Sequence, residues 1–247
     1  CGGTADNETT AADSDLAYIK DKGTLIVGIT DYAPMDFKEP GSDEWTGFDA
    51  EFARLAGESL GVAVEFIEID WDNKFLELKG KTIDCIWNGM TITDEALANA
   101  AVSNPYVKNA QVVVMAADKL ADYATVESLA DLQFAAEAGS AGEAAIKDNG
   151  LDANYVAVAA QTDAMLEVMS GSVDACVIDI TMANAMTGEG TSYASLASGI
   201  ELTTEEYGIG FRKDSDITEK VNGIIEELTA DGTMAKLAEK YNLTLAE

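Results

Sequence analysis

The run Asp84-Cys85-Ile86-Trp87-Asn88-Gly89-Met90-Thr91-Ile92-Thr93-Asp94-Glu95 gathers groups that could do chemistry. Ile83 to Trp87 is apolar and strand-like, and Asn88-Gly89 is expected to break it. Thr93 followed by Asp94 and Glu95 reads as a helix start, with a hydroxyl to cap free N–H groups and acids in the first turn. A strand that ends in a polar turn before a helix presents backbone donors and small hydroxyls to the crevice beyond its carboxyl end. Open α/β sheets hold small ligands there. Ala138-Gly139-Ser140-Ala141-Gly142 repeats the arrangement between a strand at Phe134–Glu137 and a helix reaching Lys147. An ordinary strand-to-helix connection reads the same way, so a binding role depends on other segments facing these two.

Composition narrows the chemistry. The 247 residues carry 45 Asp and Glu against 15 Lys and Arg, a net charge of −30, with no His. Such a surface repels nucleic acid and anionic lipid. Without His, the commonest general base and transition-metal ligand is missing, and no cofactor or metal is expected. No apolar run approaches the roughly 20 residues that span a bilayer. Cys85 and Cys176 sit in separate apolar runs and are expected as two buried thiols. Cys1-Gly2-Gly3 before the polar run Thr4 to Ser14 looks like a processed bacterial lipoprotein, with a lipid on Cys1 and a flexible tether over 1–19.

The positioning elements alternate. Strands are expected at Leu25–Ile29, Val62–Ile69, Ile83–Trp87, Ala110–Ala116, Phe134–Glu137, Tyr155–Val158, Val173–Ile178, Ile200–Thr203 and Tyr207–Phe211. Helices are expected at Asp49–Leu60, Asn73–Leu78, Thr93–Ala101, Val126–Leu132, Thr162–Met169, Ile180–Met186, Ile217–Thr229 and Met234–Tyr241. This is an α/β pattern with mostly parallel sheets. Leu76-Glu77-Leu78, Gly80, Ile83-Asp84 is weakly repeated by Leu166-Glu167-Val168, Gly171, Val173-Asp174, as two similar lobes would produce. Asp84 and Asp174 read as turn residues.

Several motifs occur in order: Gly23-Thr24-Leu25-Ile26-Val27-Gly28, Tyr32-Ala33-Pro34-Met35, Gly47-Phe48-Asp49, Gly89-Met90-Thr91-Ile92-Thr93, Pro105-Tyr106, Gly139-Ser140, Val173-Asp174-Ala175 and Asp231-Gly232-Thr233. With them the chain resembles, from about residue 20 to its end, the solute-binding proteins of polar amino-acid ABC importers. The resemblance implies a two-lobed periplasmic-binding-protein-like fold of type II with two hinge strands, closing on its ligand. It implies lobe one at 20–110 plus 208–247, lobe two at 111–207, and hinges near Ala110–Met115 and Glu205–Phe211. It also implies a monomer outside the cytoplasm, at the outer face of the membrane or in a periplasm, delivering a small polar ligand to a permease.

Site residues carry over from the resemblance one at a time. Tyr32 would cover the ligand and Trp71 would wall it. Asn88, Gly89, Met90 and Thr91 match the loop that receives the α-amino and carboxylate groups. Gly139, Ser140, Ala141 and Gly142 match a helix N-terminus whose N–H groups bind the carboxylate. Asp179 matches the acid that pairs with the α-ammonium. One position departs: Ala96 stands where the family usually has an Arg for the ligand carboxylate. Glu137, with Asp31 and Asp36 beside the Tyr32 loop, adds negative charge that no carried-over Lys or Arg balances. A cationic or neutral amino acid or small amine is therefore expected, not glutamate or aspartate. Two alternatives stay open: an enzyme on the same scaffold, similar to cyclohexadienyl dehydratase, using Glu137 or Asp179, and a sensory ligand-binding module.

Overall fold

The computed structural model describes residues 14–247; Cys1 and most of the expected tether lie outside the described residues. Two sheets form, one in each lobe. The first runs β4 (Ala63–Glu68), β1 (Thr24–Ile29), β5 (Cys85–Thr91), β13 (Glu205–Phe211) and β6 (Ala101–Val102), with β7 (Val107–Asn109) also on β13. The second runs β10 (Tyr155–Val158), β9 (Phe134–Glu137), β11 (Ala175–Asp179), β8 (Gln111–Ala116) and β12 (Leu196–Glu201). A two-residue ribbon pairs β2 (Phe37–Lys38) with β3 (Trp45–Thr46).

Each sheet is mixed. β1 is parallel to β4 and β5, and β9 is parallel to β10 and β11. The antiparallel pairs come from β13 and β8, the strands next to the two crossings between lobes. Sheet membership changes at Ala110 and again at 202–204, so two strands link the lobes.

The helices are α1 (Asp15–Lys22), α2 (Phe48–Leu60), α3 (Lys74–Lys79), α4 (Asp94–Asn99), α5 (Ala141–Asp148), α6 (Gln161–Ser170), α7 (Ile180–Met186), α8 (Ile217–Ala230) and α9 (Thr233–Tyr241). α2 buries Phe48, Phe52, Ala53, Ala56 and Leu60 on one stripe, as helical spacing requires. Phe52 meets Trp87 edge to face with centroids 4.8 Å apart. α8 and α9 return to the first lobe against α2, where the Tyr241 hydroxyl accepts from Gly47 N. No described helix is long and apolar enough to cross a membrane. Cys85 and Cys176 are separate buried thiols.

Three expectations need correction. β5 does not break at Asn88-Gly89 but continues to Thr91. Gly89 takes a left-handed φ of 55° inside the strand, and the pairing with β13 slips opposite it, so the dipeptide is a bulge. The expected helix at Val126–Leu132 is a 3-10 turn, Val126–Leu129, closed by a Thr125–Ser128 capping box. The strand expected at Ile200–Thr203 sits earlier, at Leu196–Glu201, and the Thr203 hydroxyl instead accepts from Gln111 N.

Asp84 is not a solvated turn residue. It is fully buried, paired with Arg212 (3.0 Å) and Lys22, and it accepts from Ile26 N (2.9 Å). Arg212 also forks onto both carboxylate oxygens of Asp15. Removing a partner from a buried ion network strands the remaining charges. Arg212→Leu is therefore expected to destabilise the fold by about 3 kcal/mol in urea unfolding. A loss under about 1 kcal/mol would show that Lys22 alone neutralises the cluster.

Candidate ligand site

The chain ends of β5, β9 and β11 meet at a cavity of about 310 Å³ between the lobes. That is the size of a small-molecule site. The first lobe contributes Tyr32, Trp71, Lys74, Phe75, Asn88, Gly89, Met90, Thr91, Thr93, Asp94, Glu95 and Ala96 to the lining. The second contributes Glu137, Gly139, Ser140, Ala141, Ala144, Asp148, Gln161 and Asp179.

The bulge in β5 is set from below by two buried carboxylates. Asn88 Nδ2 donates to Asp36 Oδ2 (2.7 Å) and Thr30 O (3.0 Å), and Gly89 N donates to Asp49 Oδ2 (2.6 Å). Tyr106 also donates to Asp49 Oδ2. Burial pushes the Asp49 carboxyl up to about 7 and holds Asp36 well above the usual carboxylate range, with the charge of Asp49 adding to it. A Cβ on Gly89 would stand 2.7 Å from Tyr32 and 3.0 Å from Tyr207. Glycine is required there by both φ and space.

Tyr32, Tyr207 and Thr181 join their hydroxyls in one cluster, with Thr181 Oγ1 2.6 Å from the Tyr32 hydroxyl and 2.9 Å from that of Tyr207. This ties the first-lobe loop to β13 and to α7 of the second lobe.

Asp179 ends β11, buried. Its Oδ1 accepts from Asn109 Nδ2 and Gln111 Nε2 (2.7 Å), and its Oδ2 from Gln161 Nε2 (2.6 Å). The same two amides, Asn109 and Gln111, also donate to Glu205 Oε1, which Thr91 Oγ1 reaches as well (2.8 Å). No cation lies within ion-pair distance of Asp179 among the described residues. Burial, with the Glu205 charge beside it, lifts Asp179 to about 6. Glu137 is buried at the end of β9 with Oε1 unpartnered, and burial lifts it to about 8, helped by the Asp179 charge.

At α5 the Ser140 hydroxyl oxygen is used as a helix cap, which leaves its proton free to donate. The oxygen accepts from Glu143 N, while Glu143 Oε2 accepts from Gly139 N (2.6 Å). Gly139, at φ 70°, sits against Asp72 of the first lobe. Gly142 does not line the cavity; a Cβ there would meet Val177 O at 2.7 Å, so this glycine lets α5 pack on β11. Asp31 and Asp36 do not line the cavity either: Asp31 is exposed, and Asp36 lies beneath the loop, held by Asn88. No carried-over position is a Lys or Arg, but a cation outside those positions, Lys74, lines the cavity. Lys74, Phe75, Ala144, Asp148 and Gln161 were not foreseen, whereas Thr93, Asp94 and Glu95 belong to the run singled out in the sequence. Among the described residues no group of acids or thiols is arranged to hold a metal.

The family of bacterial extracellular solute-binding proteins, family 3, matches residues 25–244, and the chain belongs to it. The L-cystine-binding protein TcyJ of Escherichia coli is 27% identical over 229 residues, which cover 92% of this chain and 85% of that protein. The solved ancestral amino acid-binding protein AncCDT-1, a precursor of cyclohexadienyl dehydratase, is 32% identical with a TM-score of 0.84, covering 92% of this chain and 99% of that one. An amino acid ABC transporter substrate-binding protein from Streptococcus pneumoniae, bound to L-arginine, also has a TM-score of 0.84, at 26% identity, covering 94% of this chain and 100% of that one.

The raised acids make a stability prediction with a definite sign. Asp179, Asp49 and Glu137 bind protons more tightly folded than unfolded, at about 6, 7 and 8. Their contribution is complete below about pH 4 and is lost as pH rises through those values. Repulsion within a chain of net charge −30 acts in the same direction. The ligand-free protein is expected to be at least about 2 kcal/mol more stable at pH 5 than at pH 8 in chemical denaturation. A flat or rising profile would contradict the assignment.

Proposed function

We propose that this member of the solute-binding family captures an amino acid of neutral or positive charge between its lobes and delivers it to an ABC permease without chemical turnover. Asp179 carries the proposal. Its carboxylate is oriented by three amide side chains, it lines the cavity, and it has no cation of its own. An α-ammonium supplies the missing charge through charge-assisted hydrogen bonds. Tyr32 and Trp71 are read as walls, Asn88 to Thr91 as the first-lobe face of the site, and Gly139 to Ala141 as the second-lobe face. Five carboxylates line the cavity (Asp94, Glu95, Glu137, Asp148, Asp179), which disfavours acidic ligands. The relatives that bind L-cystine and L-arginine support the ligand class.

We read lobe one as residues 20–110 plus 208–247 and lobe two as 111–207; the change of sheet at Ala110 supports this reading, while Glu205–Tyr207 pair with β7 of the first sheet. We read the protein as acting in single copies outside the cytoplasm. Cys1 is read as the lipid site that keeps it near the permease, since a polar tether of this kind suits an acyl anchor.

A second reading has one observation in its favour. Glu137 is a buried acid near 8 facing a cavity, the poise of a general acid or base, and AncCDT-1 is a precursor of an enzyme. Mass spectrometry of bound amino acids after prolonged incubation separates the two, since turnover would favour catalysis.

Titration calorimetry over the amino acids tests the main reading. Asp179→Asn keeps the shape and is expected to cost at least about 2 kcal/mol of affinity, because it removes the carboxylate proposed to pair with the ammonium. Wild-type affinity should also fall as pH drops below about 6, where Asp179 takes a proton. The groups around it, Glu205, Glu137, Tyr32 and Tyr207, carry no positive charge that would reverse this sign. Unchanged binding by Asp179→Asn would reduce Asp179 to a scaffold residue.

A further inference from the structure

Lys74 is a buried ammonium with no close ion pair among the described residues, although the charges of Glu95, Glu137, Asp72 and Glu143 all favour it. It opens α3, is 6% exposed, and is the one cation among the described residues that line the cavity. Nζ donates to Trp71 O (3.2 Å) and Gly139 O (2.9 Å) and lies 4.9 Å from the ring centres of Trp71 and Phe75. An ammonium has three protons to donate, and the third has no acceptor among the described residues. No carboxylate comes within ion-pair distance. Burying such a group costs several kcal/mol unless an anion compensates it. Burial does hold its proton affinity below the usual lysine range, while Glu95 and Glu137 act in the opposite direction.

Toward a ligand anion the rest of the lining offers neutral groups only: the Ser140 hydroxyl accepts from Glu143 N and keeps its own proton to donate, Gly139 N is engaged with Glu143, and Ala96 contributes only a methyl group. The bond to Gly139 O places Nζ beside the start of α5, so Lys74 reaches across from the first lobe to the second. We propose that Lys74 is the residue that receives the carboxylate of the bound amino acid, joining the two lobes through it. The inference rests on the amino-acid reading above and names the group that reading left without a partner. It makes the site selective for amino acids over the corresponding amines.

The test is titration calorimetry of the whole chain with L-arginine, L-histidine and L-cystine, each beside its decarboxylated counterpart: agmatine, histamine and cystamine. The wild type is expected to bind at least one amino acid about tenfold or more tighter than its amine. Lys74→Met keeps the aliphatic stem and removes the charge. It should weaken that amino acid about tenfold and change the amine less than about threefold, so the preference collapses. Lys74→Arg should restore part of it. If Lys74→Met keeps the wild-type preference, or weakens amino acid and amine alike, Lys74 only braces the lobes and the inference is overturned. If the wild type binds none of these three, the pair is taken from whichever neutral or basic amino acid the full panel shows to bind; if none of the panel binds, the amino-acid reading falls and takes this inference with it.

Discussion

Buried carboxyl groups held by neutral donors, with no ion pair of their own among the described residues, are the constraint around which the cleft is built. Asp179 and Glu205 share Asn109 and Gln111, and Asp36 and Asp49 hold the β5 bulge through Asn88 and Gly89. Neutral donors can orient a carboxylate, but they leave its charge uncompensated in a low dielectric. On the proposed reading, a ligand ammonium repairs this electrostatic deficit, which a cation supplied by the protein would have satisfied permanently. The cations that do pair inside the first lobe, Arg212 and Lys22, are held at Asp84, away from the cavity lining.

The same groups connect the lobes. Asn109 lies on β7 of the first sheet and Gln111 on β8 of the second, so the amides that hold Asp179 flank the first crossing. Glu205 begins β13, at the second crossing. Tyr32, Thr181 and Tyr207 bridge a first-lobe loop, a second-lobe helix and a hinge strand. On the proposed reading, the ligand site and the hinge are one hydrogen-bonded unit, so binding energy released at Asp179 would act where the lobes move.

Much of this architecture is legible in the sequence. Alternating apolar runs and glycine stops located β1, β9, α2 and α7, because those elements rest on local periodicity and caps. The weak internal repeat is physical: Asp84 accepts from Ile26 N and Asp174 from Gln133 N, so each acid ties its strand to the neighbouring one. The failures share a cause. Asn88-Gly89 looks like a strand breaker, yet Asp36 and Asp49, distant in sequence, hold it inside the sheet as a bulge. Asp36 looks like a cleft acid and lies beneath the loop. Lys74 looks like a surface residue of a short helix, yet it is buried beside Trp71 and Phe75 and bonded to Gly139 O of the second lobe. Each error concerns a polar group whose partner lies across the fold, which no local pattern encodes.

The central claim is that an amino acid binds by supplying the positive charge that Asp179 lacks. A carboxyl near 6 that becomes ion-paired must lose its proton, so binding and deprotonation are linked. Calorimetry of amino-acid binding at pH 6, repeated in buffers of different ionisation enthalpy, measures this directly. The account predicts net release of about half a proton or more, with Glu137 adding to it when the ligand carries a second cation, and almost none in Asp179→Asn. Binding that releases no protons at pH 6, or takes them up, would contradict it.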